Sequence, residues 1–275
     1  MSPFPADQIP VYYINLASRP DRRKFMEQQF ERLGIVAERI DAVTIADVGA
    51  ANADPPKPLA MTPVEIACTM SHEKTWCRML DAGQQFALLL EDDAVIGDGL
   101  KAFLEPALCD GLQPDLVKLE TFYDRVRLGR AVRHVSDRFG VHQLLASHFG
   151  TAAYIISATM ARRVLADPRL RRMSIDRYLF TRDGPVIPHR GLYQANPAPV
   201  VQLQFYRGDK SSAAAQSDLK RDRDRRDAKQ RPPLIHRYSD TLRRIAYTLR
   251  LTAHILPDAV ARRQKRREVP FERDV

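Results

Sequence analysis

The sequence predicts an α/β fold in which helices cover both faces of a largely parallel sheet. An apolar run, Phe86–Leu90, is typical of a buried strand, and it leads directly into three acids, Glu91-Asp92-Asp93. Segments with strand and helix patterns alternate before and after this run. A chain of 275 residues that is 44% hydrophobic can form one large domain with an appendage, or two small domains.

The elements before the acidic run follow a strand–helix–strand order. Val11–Leu16 and Ile35–Ala42 are rich in β-forming residues and predict two strands. Between them, Asp21–Leu33 carries apolar residues on one side and is followed by Gly34, which predicts a helix. Residues 48–59 are rich in Ala, Asn, Asp and Pro and predict a surface loop.

The acidic run is preceded by a capped helix and followed by further elements. Thr62-Pro63-Val64-Glu65 is typical of a capping box with proline at the first helical position, and the helix is expected to run to about Ala82. Asp115–Glu120 and Ala152–Ile156 predict later strands, and Thr159–Leu165 predicts a helix. The βαβαβ order indicates a nucleotide-binding α/β sandwich.

Charge divides the chain. The net charge is +9, yet the segment from Gly208 to Val275 holds 18 Lys or Arg against 10 Asp or Glu and so carries most of it. Residues 209–233 are polar, dense in charge and closed by Pro232-Pro233, which is typical of a linker or a solvated helix. We therefore predict a main domain over 1–207, a charged linker over 208–233 and a basic tail over 234–275.

The predicted tail has an amphipathic pattern. Apolar residues recur at steps of three or four from Leu234 to Leu256, and a basic cluster lies at 261–267. This pattern favours an interfacial helix on an anionic membrane surface. A helix packed on the main domain is the alternative. Few aromatic residues interrupt the basic run, which argues against a nucleic-acid partner.

The sequence also indicates a compartment. The three cysteines, Cys68, Cys77 and Cys109, form no CxxC pair and predict reduced, buried thiols. The N-terminal residues show no secretory signal, and no apolar run is long enough to span a bilayer. We expect a cytoplasmic protein, peripheral on the inner face of the cytoplasmic membrane.

The three acids predict a site for a cation. Open α/β sheets bind ligands at the carboxyl ends of their strands, and three adjacent carboxylates repel one another unless a cation offsets their charge. A divalent metal with a phosphorylated ligand fits this chemistry. Strand alternation would place Glu91 and Asp93 on the same side, where one acid can bind the metal while the other orients it. We rank Asp93 first as a direct metal ligand, followed by Glu91 and Asp92. The alternative is a solvated acidic turn.

Five short motifs, in order, resemble a known family. They are Ile14-Asn15-Leu16-x-x-Arg19-x-x-Arg22-Arg23, Glu65-Ile-Ala-Cys-Thr-Met-Ser71-His72-x-x-x-Trp76, Leu88-Leu-Leu-Glu91-Asp92-Asp93, Val117-Lys118-Leu119 and Gly150-Thr-Ala-Ala-Tyr-Ile-Ile-Ser157. Together they resemble glycosyltransferase family 25, the lipooligosaccharide galactosyl- and glucosyltransferases, over roughly residues 10–205. Ala67 and Val64 stand where glycines are usual, which bears on loop geometry more than on chemistry.

The resemblance implies a fold and a reaction. The fold would be of GT-A type, a nucleotide-sugar-binding α/β/α sandwich, here with a basic helical C-terminal tail. The reaction would be the inverting, metal-dependent transfer of a hexose from UDP-galactose or UDP-glucose to a saccharide acceptor. Mn²⁺ or Mg²⁺ would be the metal. A lipid-linked saccharide is the expected acceptor, which agrees with a membrane-docking tail.

Motif and strand-end positions give the predicted donor site. Its residues are Asn15, Leu16, Arg19, Ser71, His72, Glu91, Asp92, Lys118, Gly150 and Thr151, with Asp93 and Glu91 on the metal. Arg22 and Arg23 are either donor contacts or solvated helix residues. His72 is either a donor contact or a structural histidine, and Lys118 either touches donor or pairs with Glu120 or the acidic cluster. Cys68 and Trp76 are assigned to packing.

Direct displacement needs a base for the acceptor hydroxyl. Asp176, in Met173-Ser-Ile-Asp-Arg-Tyr-Leu179, is the candidate, and the alternative is that it only caps a helix over 177–180. Two other functions remain open at this stage. One is a non-catalytic membrane-surface adaptor on a degenerate sugar-nucleotide fold, and the other is a nucleotidyltransferase, which also needs acids at strand ends.

Overall fold

The fold is a mixed α/β sandwich. A computed structural model describes residues 4–51, 61–181, 184–186, 191–207 and 266–275. The strands in chain order are β1 (Val11–Asn15), β2 (Ala37–Asp41), β3 (Phe86–Glu91), β4 (Ala94–Ile96), β5 (Leu116–Lys118), β6 (Glu120–Thr121), β7 (Arg125–His134), β8 (Gly140–Leu144), β9 (Ala153–Ser157), β10 (Leu192–Asn196), β11 (Val200–Gln202) and β12 (Arg266–Glu268). The helices are α1 (Pro20–Leu33), α2 (Ile45–Ala51), α3 (Pro63–Asp81), α4 (Ala158–Leu165) and α5 (Ile175–Phe180).

Nine strands form the main sheet in the order β12-β7-β8-β10-β5-β9-β3-β1-β2, and β4-β11-β6 form a small second sheet. β1 pairs in parallel with both β2 and β3, in agreement with the parallel arrangement predicted for this part of the sheet. β9 lies antiparallel between β3 and β5, so the sheet is mixed and not largely parallel. This arrangement brings the carboxyl ends of β1, β3 and β5 and the start of β9 to one edge.

Helices cover both faces of the main sheet. Successive side chains of β3 alternate between two cores, with Leu89 in one and Leu88 and Leu90 in the other. The first core contains Trp76 of α3 and residues of α4 and α5. The second contains Met26 of α1. The predicted α/β/α sandwich is therefore confirmed.

Local signals explain the two long helices. Thr62 accepts a hydrogen bond from the Glu65 backbone while the Glu65 carboxylate accepts one from the Thr62 backbone, which confirms the capping box that starts α3. Helix α1 has proline at its first position. It ends at Gly34, whose φ of 60° lies in the left-handed region that glycine adopts at low cost.

Two local expectations need correction. Residues 48–51 belong to α2 and not to a loop, and 52–59 lie outside the described residues. The predicted strand Asp115–Glu120 is divided into β5 and β6, which belong to different sheets, so Lys118 and Glu120 end and begin separate strands. The cysteines also differ from expectation, since only Cys109 is buried, while Cys68 is partly exposed and Cys77 is exposed.

The last ten residues return to the main domain. β12 pairs antiparallel with β7, and Phe271 and Glu272 are buried. The Glu272 carboxylate accepts a hydrogen bond from the Gly99 backbone at 3.0 Å. Residues 266–275 therefore belong to the structure of the main domain, whereas the linker and the amphipathic part of the tail, 208–265, lie outside the described residues. Among the helices that are described, none combines the length and apolarity needed to cross a bilayer.

Candidate functional site

Polar side chains from four strand ends meet at one edge of the sheet. Asn15 ends β1, Glu91 ends β3 and Lys118 ends β5, while Thr151 lies two residues before the start of β9. Asp92 and Asp93 lie in the turn between β3 and β4, so the strand alternation assumed for them from sequence does not apply there. The edge nevertheless holds the acidic cluster that the sequence predicts, at the position where α/β sheets bind ligands.

Asp92 is neutralised within the protein. Its two carboxylate oxygens accept hydrogen bonds from Asn15 Nδ2 and from Arg22 Nη1, both at 2.8 Å. Asn15 Oδ1 in turn accepts from Arg39 Nε at 3.0 Å. Arg22 is therefore buried against the acidic turn and is not a solvated helix residue. Asp92 braces β1 and α1 against this turn.

Asp93 lacks comparable hydrogen bonds among the described residues. Its Oδ1 is buried and has no hydrogen-bond partner among the described residues. Burial, followed by the charge of Glu91, raises the pKa of Asp93 to about 8. A buried carboxylate oxygen without a partner is costly, and a cation beside it would remove that cost.

Glu91 has two partners from opposite sides. Its Oε1 accepts a hydrogen bond from Thr151 Oγ1 at 2.5 Å and lies 3.4 Å from His72 Nε2. Burial opposes ionisation of Glu91. The hydrogen bond and charge of His72, the Thr151 hydroxyl and the charge of Lys118 outweigh it, so the pKa of Glu91 is lowered. Glu91 therefore stays ionised beside Asp93.

A buried chain of hydrogen bonds orients His72. Trp76 Nε1 donates to the Tyr154 hydroxyl oxygen at 3.0 Å, and that hydroxyl lies 2.8 Å from His72 Nδ1. When the Tyr154 hydroxyl donates to Nδ1, the ring proton of His72 is on Nε2 and faces Glu91. The family motif residues Trp76 and His72 thus act on Glu91 from within the core, and Trp76 does more than pack.

Lys118 and Glu120 form a buried ion pair next to the acidic edge. Lys118 Nζ donates to Glu120 Oε1 at 2.7 Å and to the Gly150 carbonyl at 2.6 Å, and it lies 4.6 Å from the centre of the Phe180 ring. Burial lowers the pKa of Lys118 and raises that of Glu120 to about 7. The pairing with Glu120 is the structural alternative that the sequence left open for Lys118.

Gly150 is required by close packing around this pair. Its φ is +89°, and a Cβ there would lie 2.1 Å from Phe122 Cζ and 2.8 Å from Glu120 Oε1. Only glycine therefore leaves room for Phe122 and Glu120 while its carbonyl accepts from Lys118. The donor-site role of Gly150 and Thr151 stays a prediction.

Sequence reasoning did not assign a site role to Glu120 or His148. Glu120 Oε2 and His148 Nε2 are both buried and have no partner among the described residues. His148 Nδ1 donates to Gln194 Oε1 at 2.7 Å, and burial lowers the pKa of His148 to about 3. A charged residue two positions after Lys118 in an apolar segment was a usable signal for Glu120. Nothing in the local sequence of His148 indicated its burial.

The remaining predicted residues are placed as follows. Arg19 pairs with Asp21 at 2.8 Å on the surface, and Leu16 is half-buried beside it. Ser71 is buried, donates to the Ala67 carbonyl and accepts from the Val43 backbone, both at 2.8 Å, so its hydroxyl is used within the fold. The Arg19 carbonyl accepts a hydrogen bond from Asn15 Nδ2 at 3.2 Å, so the Arg19 backbone lies next to the acidic edge while its guanidinium pairs with Asp21.

Asp176 lies at the second position of α5 and not at its N-cap, which is Ser174. Its Oδ1 accepts hydrogen bonds from Ser174 Oγ at 2.6 Å and from the Arg177 backbone at 2.8 Å. Asp176 is buried, and its charge acts on Lys118. The alternative that Asp176 is the N-cap of this helix is therefore wrong. Its role as the catalytic base stays a prediction.

The residues present fit a divalent cation. Asp93 offers an unpartnered buried oxygen, and Glu91 is an ionised carboxylate next to it. Carboxylate oxygens are the ligands that Mg²⁺ and Mn²⁺ prefer. The pair of Asp93 and Glu91 therefore has the chemistry that a divalent cation requires, at the edge of an α/β sheet where ligands commonly bind.

Comparison with known proteins identifies the family. The sequence model described as glycosyltransferase family 25 (LPS biosynthesis protein) matches residues 8–179. This chain therefore belongs to glycosyltransferase family 25. It is a glycosyltransferase of a family involved in LPS biosynthesis, as the five motifs predict.

Two named relatives are also glycosyltransferases. The chain is 29% identical to the lacto-N-neotetraose biosynthesis glycosyltransferase LgtE of Neisseria gonorrhoeae, over 78% of this chain and 81% of that protein. It is 33% identical to LgtB of Neisseria meningitidis, over 71% and 76%. A solved glycosyltransferase involved in glycosylation of the major capsid of PBCV-1 is 10% identical with a TM-score of 0.40, covering 78% of this chain and 98% of that one.

Proposed function

We propose that this protein transfers a hexose, galactose or glucose, from a UDP-sugar to a lipid-linked saccharide acceptor, with inversion and with Mn²⁺ or Mg²⁺. The family supports glycosyl transfer. The observation that supports a bound metal is at Asp93: its Oδ1 is a buried carboxylate oxygen without a hydrogen-bond partner among the described residues, and it lies beside an ionised Glu91. The neighbouring Asp92 is already neutralised by Arg22 and Asn15, which leaves Asp93 as the principal ligand.

The residues of the site would divide the work as follows. Asp93 and Glu91 would hold the cation, which when bound neutralises charge on the departing diphosphate. His72 and Thr151 keep Glu91 ionised and oriented. Lys118 places a positive charge at the end of β5, where it also fixes Glu120. Asp176 would accept the proton of the acceptor hydroxyl.

A donor screen tests this proposal. Purified protein is incubated with UDP-galactose, UDP-glucose or a UDP-N-acetylhexosamine and a saccharide acceptor, with Mn²⁺, with Mg²⁺ or with excess chelator. We expect one UDP-hexose to give product, and chelator to stop the reaction. Undiminished sugar transfer in excess chelator would contradict the proposed metal requirement. Turnover of nucleoside triphosphates without sugar transfer would favour a nucleotidyltransferase, and nucleotide binding without turnover would favour an adaptor.

We also propose that the basic segment places the enzyme on the inner face of the cytoplasmic membrane, where a lipid-linked acceptor would lie. Since β12 is part of the main sheet, and Phe271 and Glu272 are buried, removing 234–275 would damage the domain itself. Arg207 Nη2 and Glu268 Oε1 lie 3.5 Å apart, so residues 208–265 can be replaced by a short Gly/Ser linker. That variant should keep its fold and lose binding to anionic vesicles. Undiminished vesicle binding would refute the role.

A further inference from the structure

A second group of potential metal ligands lies between α3 and β3. Cys68 and His72 are four residues apart in α3 and therefore share one face of the helix. Glu91, at the end of β3, faces them. One ligand atom from each residue, a thiol sulfur, an imidazole nitrogen and a carboxylate oxygen, lies within 4.8 Å of the other two.

The spacing suits a small tetrahedral cation. Zinc binds sulfur at about 2.3 Å and nitrogen or oxygen at about 2.0 Å, so two ligands of one ion lie roughly 3–4 Å apart. His72 Nε2 and Glu91 Oε1 are 3.4 Å apart. Small side-chain movements would therefore bring all three ligand atoms to one ion.

The surrounding contacts support the ligands in the manner of a metal site. His72 Nδ1 is fixed 2.8 Å from the Tyr154 hydroxyl, and Nε2 is the nitrogen that faces Glu91. When Nε2 gives up its proton to bind a metal, Nδ1 carries the ring proton and donates it to the Tyr154 oxygen. Metal-bound histidines typically have such a partner, and Thr151 orients Glu91 in the same way.

We propose that Cys68, His72 and Glu91 form a zinc site with an open fourth position. A thiolate ligand selects zinc over Mn²⁺ and Mg²⁺, which prefer oxygen. Cys68 is partly exposed and the Glu91 side chain is 16% exposed, which gives the ion a route from solvent. The site differs from the one proposed for the donor metal in its ligand chemistry, although Glu91 is common to both.

Cobalt titration tests the proposal without any sugar nucleotide. The full chain, reduced and free of metal, is titrated with Co²⁺, which reports a thiolate ligand through a near-ultraviolet charge-transfer band and is displaced by Zn²⁺. We expect one Co²⁺ per chain with this band. The absence of the band in the wild-type protein would overturn the proposal.

Two serine variants on the same helix provide the comparison. Cys68→Ser should lose the band, while Cys77→Ser, which changes an exposed thiol of α3, should keep it. Tyr154→Phe removes the hydroxyl that faces His72 and should weaken Zn²⁺ binding about 10- to 100-fold. A band that persists in Cys68→Ser, or that disappears in Cys77→Ser, overturns the assignment.

Thermal unfolding gives a second measurement that also confirms folding. Saturating Zn²⁺ should raise the Tm of the wild type and of Cys77→Ser but not of Cys68→Ser, because only a folded site binds the ion. Asp93→Asn should retain the cobalt band even if it loses sugar transfer. The zinc site and the proposed transferase mechanism can therefore fail separately, and an equal Tm increase in Cys68→Ser would count against zinc.

Discussion

Asp92 and Asp93 are adjacent in one turn, yet their surroundings are opposite. Asp92 accepts hydrogen bonds from Arg22 and Asn15, whereas Asp93 Oδ1 is buried without a partner among the described residues. One acid of the pair therefore holds the turn in place, and its neighbour is left with capacity for a cation. Substitutions at Asp93 and at Arg22 separate these two roles.

Asp93→Asn should abolish sugar transfer, because the amide cannot replace a charged metal ligand. Its Tm should be unchanged or slightly higher, since the variant removes a carboxylate that burial disfavours. Initial rates with the active UDP-sugar and thermal unfolding measure the two effects. Glu105→Gln, at an exposed acid, is the matched control. Full activity in Asp93→Asn would contradict the assignment.

Arg22→Gln should destabilise the fold, because it leaves the Asp92 carboxylate buried without its cation. The two side chains are 10% and 11% exposed, and loss of one member of a buried pair costs about 3 kcal/mol. The neighbouring Arg23→Gln removes an exposed pair with Glu27 and should have no measurable effect. Urea unfolding gives the free energy of unfolding of both variants. Equal values for Arg22→Gln and Arg23→Gln would show that the ion pair of Arg22 with Asp92 does not stabilise the fold.

Asp176→Asn should lower kcat by about 10²- to 10⁴-fold if Asp176 is the base. The KM for the donor should change little, because the residue would act on the acceptor. Steady-state kinetics on the active donor and acceptor measure both constants, with Asp137→Asn at an exposed position as control. A near-normal kcat would remove Asp176 from the mechanism and direct attention to Glu120.

His148 should make the protein sensitive to acid. Burial lowers its pKa from 6.5 to about 3, so between those values the unfolded chain binds a proton that the folded chain does not. The free energy of unfolding should therefore fall as pH falls through this window, by at most about 1.4 kcal/mol per pH unit from this group. His148→Gln should show a shallower slope in denaturant titrations between pH 6.5 and 3.

The exposed His134 supplies the control for that measurement. His134→Gln controls for the replacement of a histidine by glutamine as such. If His148→Gln and the wild type have the same pH dependence, His148 does not contribute to acid unfolding.

Phe271→Ala should show that the C-terminal residues hold the domain together. The side chain is fully buried, and loss of a buried phenylalanine costs about 3–5 kcal/mol. Val275→Ala, at a side chain that is 68% exposed, is the control and should be close to wild type. Urea unfolding measures the free energy of unfolding of both variants. An unchanged value in Phe271→Ala would mean that residues 266–275 do not stabilise the domain.

Local signals were sufficient for much of the fold and the acidic edge. The apolar run into Glu91 predicted β3, and the capping box predicted the start of α3, because both depend on neighbouring residues. Long-range partners were not predictable. Arg22 joins Asp92 across 70 positions. β12 consists of exposed Arg-Arg-Glu, which has no strand-like pattern, and its partner is the distant strand β7.

The return of residues 266–275 has a consequence for biosynthesis. Domains commonly fold as their residues leave the ribosome. Here the strand that completes one edge of the main sheet, and the buried Phe271 and Glu272 that follow it, are synthesised after the other strands of that sheet. Until β12 has been made, β7 lacks this partner and presents an unpaired edge, the kind of surface that recruits other chains. A chain truncated between β11 and β12 should therefore be prone to aggregate, because this edge stays unpaired.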